Sequence, residues 1–169
     1  MARPAFNEDL VVRRQYLSLV HAKIPGESAW ILLDQGRVIT PTNEAQIDEY
    51  RRIGDINVLQ VPGPITHKAT IEVYVENDLE ELARVLGFVK PGGGWAGTEN
   101  IKLDPTKVID FKIENYDGIT TAAVLDSTEY VNKFRPSSLE MTLDSAGDVR
   151  IANIQGVTDD YYIIPRASL

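Results

Sequence analysis

Polar and apolar residues alternate strictly over Lys68 to Val75 (KATIEVYV). Ala69, Ile71, Val73 and Val75 fall on one side, and Thr70, Glu72 and Tyr74 on the other. A period of two is the mark of a strand with one buried face. The same period runs through Lys107 to Glu114, with Ile109, Phe111 and Ile113 on one face. It recurs in Ser138 to Asp144, with Leu139, Met141 and Leu143 predicted inward. Gln15 to Ala22, Ala29 to Thr40, Ile119 to Leu125, Val149 to Ile154 and Tyr161 to Ile164 also read as strands. Turn chemistry separates them: Pro25-Gly26, Gly36 as a bulge or bend, Asn115-Tyr116-Asp117-Gly118, and Ser145-Ala146-Gly147-Asp148.

The period changes to helical once. Leu79, Leu82, Ala83 and Leu86 form a stripe at i, i+3, i+4 and i+7. Asp78 is the expected N-cap, Glu81 completes a capping box, and Gly87 ends the helix. Leu79, Leu82 and Leu86 are the residues expected to pack on a sheet. About eight strands, one helix and no βαβ alternation predict a mainly β fold. The expected form is two packed antiparallel sheets, a sandwich or barrel, with one flanking α-helix.

Two segments carry no such pattern. Residues 1–13 are polar and read as a flexible arm. Residues 41–66 mix charge with scattered Ile, Val and Leu, and read as a long loop with a short helical turn over Glu44 to Tyr50 behind Asn43. A connection of that length inside one domain points to function or to pairing with another chain. Residues 1–169 are otherwise expected to be a single domain.

Composition narrows the chemistry. No cysteine is present, which removes disulfides, thiolate metal sites and a cysteine nucleophile. No signal peptide is visible, and no apolar run reaches the roughly 20 residues of a membrane helix. Synthesis in a cytoplasm is the expectation. The formal charge is −8 and uneven: residues 61–169 hold ten Lys/Arg against seventeen Asp/Glu. That opposes a surface that grips nucleic acid, but not one that a polyanion must pass without sticking.

The catalytic patterns fail one by one. His21 and His67 are isolated and lack the convergent partners of a metal site. The Pro91 to Gly97 loop has neither the Lys-Ser/Thr nor the following helix of a phosphate cradle. No G-x-S-x-G elbow accompanies a serine. Glu80-Glu81 and Asp159-Asp160 are paired acids, and Glu72 and Asp110 sit on polar strand faces. A glycoside-cleaving pair would want exposed aromatics beside it, and only Trp95 looks free. The chain is expected to be no enzyme and to need no cofactor or metal.

The order of features resembles the tail tube proteins of bacteriophages and related contractile injection systems. Trp30 to Pro41 is similar to their opening hairpin region. Glu49-Tyr50-Arg51-Arg52-Ile53-Gly54-Asp55 is similar to the polar stretch of their long loop, and Lys68 to Gly87 to their strand-then-helix unit. The resemblance spans roughly residues 15–165. It implies a structural subunit forming six-membered rings, stacked into a hollow conduit for DNA passage from virion to host. Self-association would be joined by contacts with sheath, baseplate and tail terminator proteins, with no membrane partner, and the location would be the virion tail. Glu72 and Asp110, then Glu140, are the candidate lumen residues. Arg51, Arg52 and Asp55 are the candidates for contacts between subunits or rings. The competing readings are the inner tube of a pyocin-like or type VI-like injection system and a β-sandwich carbohydrate-binding module.

Overall fold

The computed structural model describes residues 16–33, 36–50, 59–75, 79–89, 97, 100–117, 124–143 and 150–166. Eight strands and one helix lie among them. In chain order these are β1 (Tyr16–Lys23), β2 (Ile31–Leu32), β3 (Gly36–Tyr50), β4 (Leu59–Val75), α1 (Glu80–Val85), β5 (Ile109–Asp117), β6 (Val124–Leu143), β7 (Arg150–Thr158) and β8 (Asp160–Pro165). None of the described helices is long and apolar enough to cross a membrane.

All strand pairings are antiparallel. The order is β2-β1-β5-β6-β7-β4-β3, with β8 added on β6. The expected two sheets are thus two halves of one continuous sheet, because β6 belongs to both. Residues 124–134 of β6 pair with β5, and 127–132 pair with β8 on the other side. Residues 135–143 pair with β7 instead. The strand turns between the halves at Lys133, whose φ of 52° is unusual for a residue with a side chain. Asp110 stabilises that turn: its Oδ1 accepts the Lys133 N–H at 2.8 Å.

The alternating residues fill the space between the halves. Ala69, Ile71, Val73 and Val75 from β4 meet Ile109, Phe111 and Ile113 from β5, with Val131, Phe134, Ala152 and Ile154 between them. Phe111 and Phe134 pack edge to face at 5.6 Å, a geometry that adds about 0.5–1.5 kcal/mol beyond burial. Leu82, Val85 and Leu86 of α1 are buried in this cluster, and Leu79 packs against it.

The helix begins differently from its sequence signal. Leu79 is the N-cap and makes no side-chain cap hydrogen bond; Asp78 lies outside the described residues. The end is as read. Gly87 takes φ +82°, its N–H bonds to the Arg84 carbonyl, and the Phe88 N–H reaches back to Ala83. That double closure is a Schellman motif, which wants glycine at its left-handed position.

Two strand readings need correction. Of the expected loop 41–66, the described residues 41–50 and 59–66 are strand, and 44–50 are not helical. Residues 41–50 continue β3 and 59–66 begin β4, with Pro41↔Ala69, Ala45↔Ile65 and Glu49↔Gln60 in register. Their hydrogen bonds come from each other, not from burial, which is why no apolar stripe marks them. Met141 and Leu143 share the inward side of Leu139 but are 42% and 64% exposed. They lie on the open border of the sheet, although Val73 and Ala152 in the row of Met141 are fully buried. Asn115 to Asp117 also stays in β5, so the connection to β6 falls in residues 118–123, outside the described residues.

Candidate functional site

The candidate site is the half-sheet β6-β7-β4-β3, and its geometry follows from register. In an antiparallel pair, residues directly opposite share a face. Ile71, Ile154 and Leu139 form one row, and it faces the core. The next row, Glu72↔Asn153↔Glu140, therefore lies on the opposite face, where Glu72 and Asn153 are half-buried and Glu140 is exposed. Thr70↔Gln155↔Ser138 and Tyr74↔Ile151↔Thr142 flank it on that face. The central row carries two carboxylates and an amide and no cation. Asn153 is half-buried there, and its Oδ1 has no hydrogen-bond partner.

The row Lys68↔Val157↔Arg135 is basic, and acids stand against it. Lys68 Nζ lies 3.2 Å from Glu44 Oε2. Arg135 Nη1 lies 2.6 Å from Asp159 Oδ1, with Lys133 Nζ 3.3 Å from its other oxygen. The hydrogen bonds from Arg135 and then Lys133 hold the Asp159 carboxyl below the usual aspartate range. Exposed pairs of this kind contribute little stability, because solvent screens them. Their consequence is a face with little net positive charge.

The half-sheet has two open borders among the described residues. β3 pairs only with β4, and residues 135–143 of β6 pair only with β7. The β3–β4 hairpin also outruns the sheet. β4 meets β7 only from His67 onward, so residues 43–50 and 59–66 form a two-stranded arm. Ile47, Val61 and Ile65 on this arm are 60%, 38% and 57% exposed. An isolated two-stranded ribbon is marginal in water, and apolar side chains on it call for a partner.

Sequence reasoning placed Glu72 and Glu140 separately; the fold brings them into one row around Asn153, which it had not singled out. Asp110 lies on the other half, at the β6 turn, apart from that row. Arg51, Arg52, Asp55, Trp95 and the arm 1–13 lie outside the described residues. His67 Nδ1 is 2.6 Å from Asn43 Oδ1, a cross-strand bond at the root of the hairpin arm. His21 is set apart in the other half, where burial lowers its pKa. Among the described residues no three His, Cys, Asp or Glu side chains gather as a metal site would require.

No family model and no curated protein matches the chain. Solved structures do. One is a chain of the sheath-tube complex of the extracellular contractile injection system PVC in its extended state. It is 17% identical, with a TM-score of 0.58 over 95% of this chain and 99% of that one. A second is from the 6-fold symmetrised baseplate of the anti-feeding prophage, 15% identical, with a TM-score of 0.57 over 98% of both chains. A third is the SPP1 tail tube, 12% identical, with a TM-score of 0.56 over 89% of this chain and 77% of that one.

The chain has the tail-tube fold. Identities this low speak to architecture alone.

Proposed function

We propose that this chain is the structural, non-catalytic subunit of a tail tube or of the inner tube of a contractile injection system. Six copies close into a ring, and rings stack into a hollow conduit. The observation that carries the reading is the pair of open borders. The half-sheet has four strands, all antiparallel, so β3 runs opposite to β6. Copies repeated head to tail set β3 of one beside β6 of the next, and the alternation continues without a parallel pair. The open N–H and C=O groups of each border then find partners, as edge strands require. Ring closure gives a barrel of about two dozen strands, wide enough for an aqueous channel. The likeness to a sheath-tube complex, a baseplate chain and a tail tube supports the same reading.

On this reading the face opposite the core lines the bore. Glu72, Asn153 and Glu140 of each copy make an acidic ring, with the uncharged Thr70, Gln155 and Ser138 beside it. DNA moving through such a bore would release few counterions and so would not be held. The arm on β3–β4, together with Arg51, Arg52 and Asp55, is assigned to contacts between copies. Sheath, baseplate and tail terminator proteins are the expected partners, in a virion tail assembled in a bacterial cytoplasm.

Negative-stain microscopy of the purified protein tests the assembly. Six-fold rings or tubes are expected. A protein that stays monomeric at high concentration overturns the proposal. The bore is tested separately by Glu72→Lys in the intact particle. Tubes should form, and DNA ejection should slow several-fold, most strongly at low salt, where unscreened attraction is largest. Wild-type ejection kinetics in that variant would remove Glu72 from the bore.

A further inference from the structure

An open cleft of about 650 Å³ lies at the β6 turn, lined among others by Ile24, Pro25, Phe88, Lys107, Lys133 and Arg135. Its walls combine an apolar patch with three cations, in a protein of net charge −8. Lys133 and Arg135 share a single carboxylate, Asp159. Lys107 Nζ stands 5.1 Å from the centre of the Phe88 ring.

The arm has the opposite character. Exposed Ile47 is followed by Asp48 and Glu49. In the single copy those two carboxylates accept bonds from the neutral amides of Gln46 and Gln60, at 3.0 and 3.2 Å. Neutral donors satisfy the oxygens without offsetting the charge. The arm thus offers an apolar anchor, Ile47, with Glu49 on its own face of the strand and Asp48 on the other, and the cleft offers an apolar patch beside three bases.

Register puts the two features beyond the same end of the half-sheet, on opposite borders. Thr42, Lys68, Val157 and Arg135 form one row across the half-sheet. The arm begins one residue beyond Thr42 on the β3 border. The β6 turn, with Lys133, begins just beyond Arg135 on the other border. We propose that Ile47, Asp48 and Glu49 of one copy dock into the Ile24–Phe88–Lys107–Lys133–Arg135 cleft of the adjacent copy in the ring. This rests on the tube reading above and names the receptor for its arm. Electrostatic complementarity of this kind fixes register and rejects wrong partners more than it adds raw affinity. The docked ion pairs would set which copies join, and Ile47 would be the desolvated anchor.

The absence of cysteine makes the test direct. In the full chain carrying Ile47→Cys and Lys107→Cys, assembled and treated with a short bismaleimide, a denaturing gel should show a ladder reaching six copies. Either single variant should give no ladder. Separately, Asp48→Lys with Glu49→Lys should reduce the assembled fraction at least about tenfold. Adding Lys107→Glu and Lys133→Glu to that chain should restore it. Rings or tubes that form normally without the ladder, or assembly unchanged by the acid-to-base reversal, overturn the docking while leaving the tube reading intact. A wild-type chain that never assembles overturns the tube reading and the docking with it.

Discussion

Gly156→Ala is expected to lower the stability of the protomer by about 3 kcal/mol, at the upper end of ordinary overpacking. An alanine Cβ at this position would overlap the Arg135 carbonyl oxygen and lie 2.5 and 2.6 Å from two ring carbons of Phe134. Neither neighbour yields easily. The carbonyl belongs to β6 next to its turn, and the Phe134 ring is fully buried against Phe111. The usual benefit of replacing glycine works the other way. Alanine restricts the unfolded chain and stabilises by about 0.4–1 kcal/mol where the native backbone permits it. Gly156 sits in β7 without a left-handed φ, so the backbone does permit it. The sign is therefore set by close approach alone, and the clash outweighs the entropy. Urea denaturation should show a lower midpoint by 1 M or more for a slope of about 1–3 kcal/mol per M. Adding Phe134→Leu should recover only part of the effect that the ring clash contributes, because the carbonyl clash remains. An unchanged or raised midpoint for Gly156→Ala would mean that β6 and β7 do not cross this closely.

The same crossing explains what the sequence hid. Strands with one covered face, at 69–75 and 109–113, were legible because burial selects every second residue. The middle of β6 was not: of this longest strand, 20 residues, only the ends at 124–125 and 138–143 were read as strand. Its buried residues fall at Thr128, Val131, Phe134 and Pro136, at intervals of three, three and two. A strand that changes halves cannot keep one apolar period, and the register shift after Pro136 breaks it again. The hairpin arm was hidden for a different reason. Neither of its faces is covered, so Ile47, Val61 and Ile65 are placed without regard to a core. Pro62 and Pro64 weaken the strand signal further, since proline supplies no donor to a ladder. The structure accommodates them with a bulge in β4, where Gly63 and Pro64 stand opposite the single Gln46, whose Cβ and carbonyl lie 3.1 Å from where a Gly63 Cβ would be. As for the candidate site, the alternation identified Glu72 and Glu140 as polar-face residues. Their alignment through Asn153 depends on cross-strand register, which no single segment encodes. Asp110 has the same polar-face signature, yet the fold uses it to hold the Lys133 amide.

Removing the arm should abolish assembly while sparing the fold. Ala45 and Ile65 are paired, so residues 46–64 can be replaced by Asn-Gly, which closes two antiparallel strands with a type I′ turn. None of the described residues in the excised segment belongs to the buried cluster, whose β4 members begin at Ala69. The shortened chain should therefore unfold at a denaturant concentration close to that of the full chain. The cost should fall on association. The truncation removes the apolar surface of Ile47 and Val61 and the acids Asp48 and Glu49 from every interface at once. At about 25 cal/mol per Å² of apolar surface buried, and with each contact repeated around a closed ring, the loss compounds. Every factor of ten in affinity per interface corresponds to only about 1.4 kcal/mol. Analytical ultracentrifugation should find the truncated protein monomeric at concentrations where the full chain forms rings or tubes, with unchanged far-ultraviolet circular dichroism apart from the missing strand residues. The open β3 and β6 borders would remain, and their backbone groups alone should not hold the ring together. If truncated chains still build full tubes, edge pairing suffices by itself and the arm contributes nothing essential to assembly. If they unfold, the arm is part of the protomer's own stability, and its exposed isoleucines were never waiting for a neighbour.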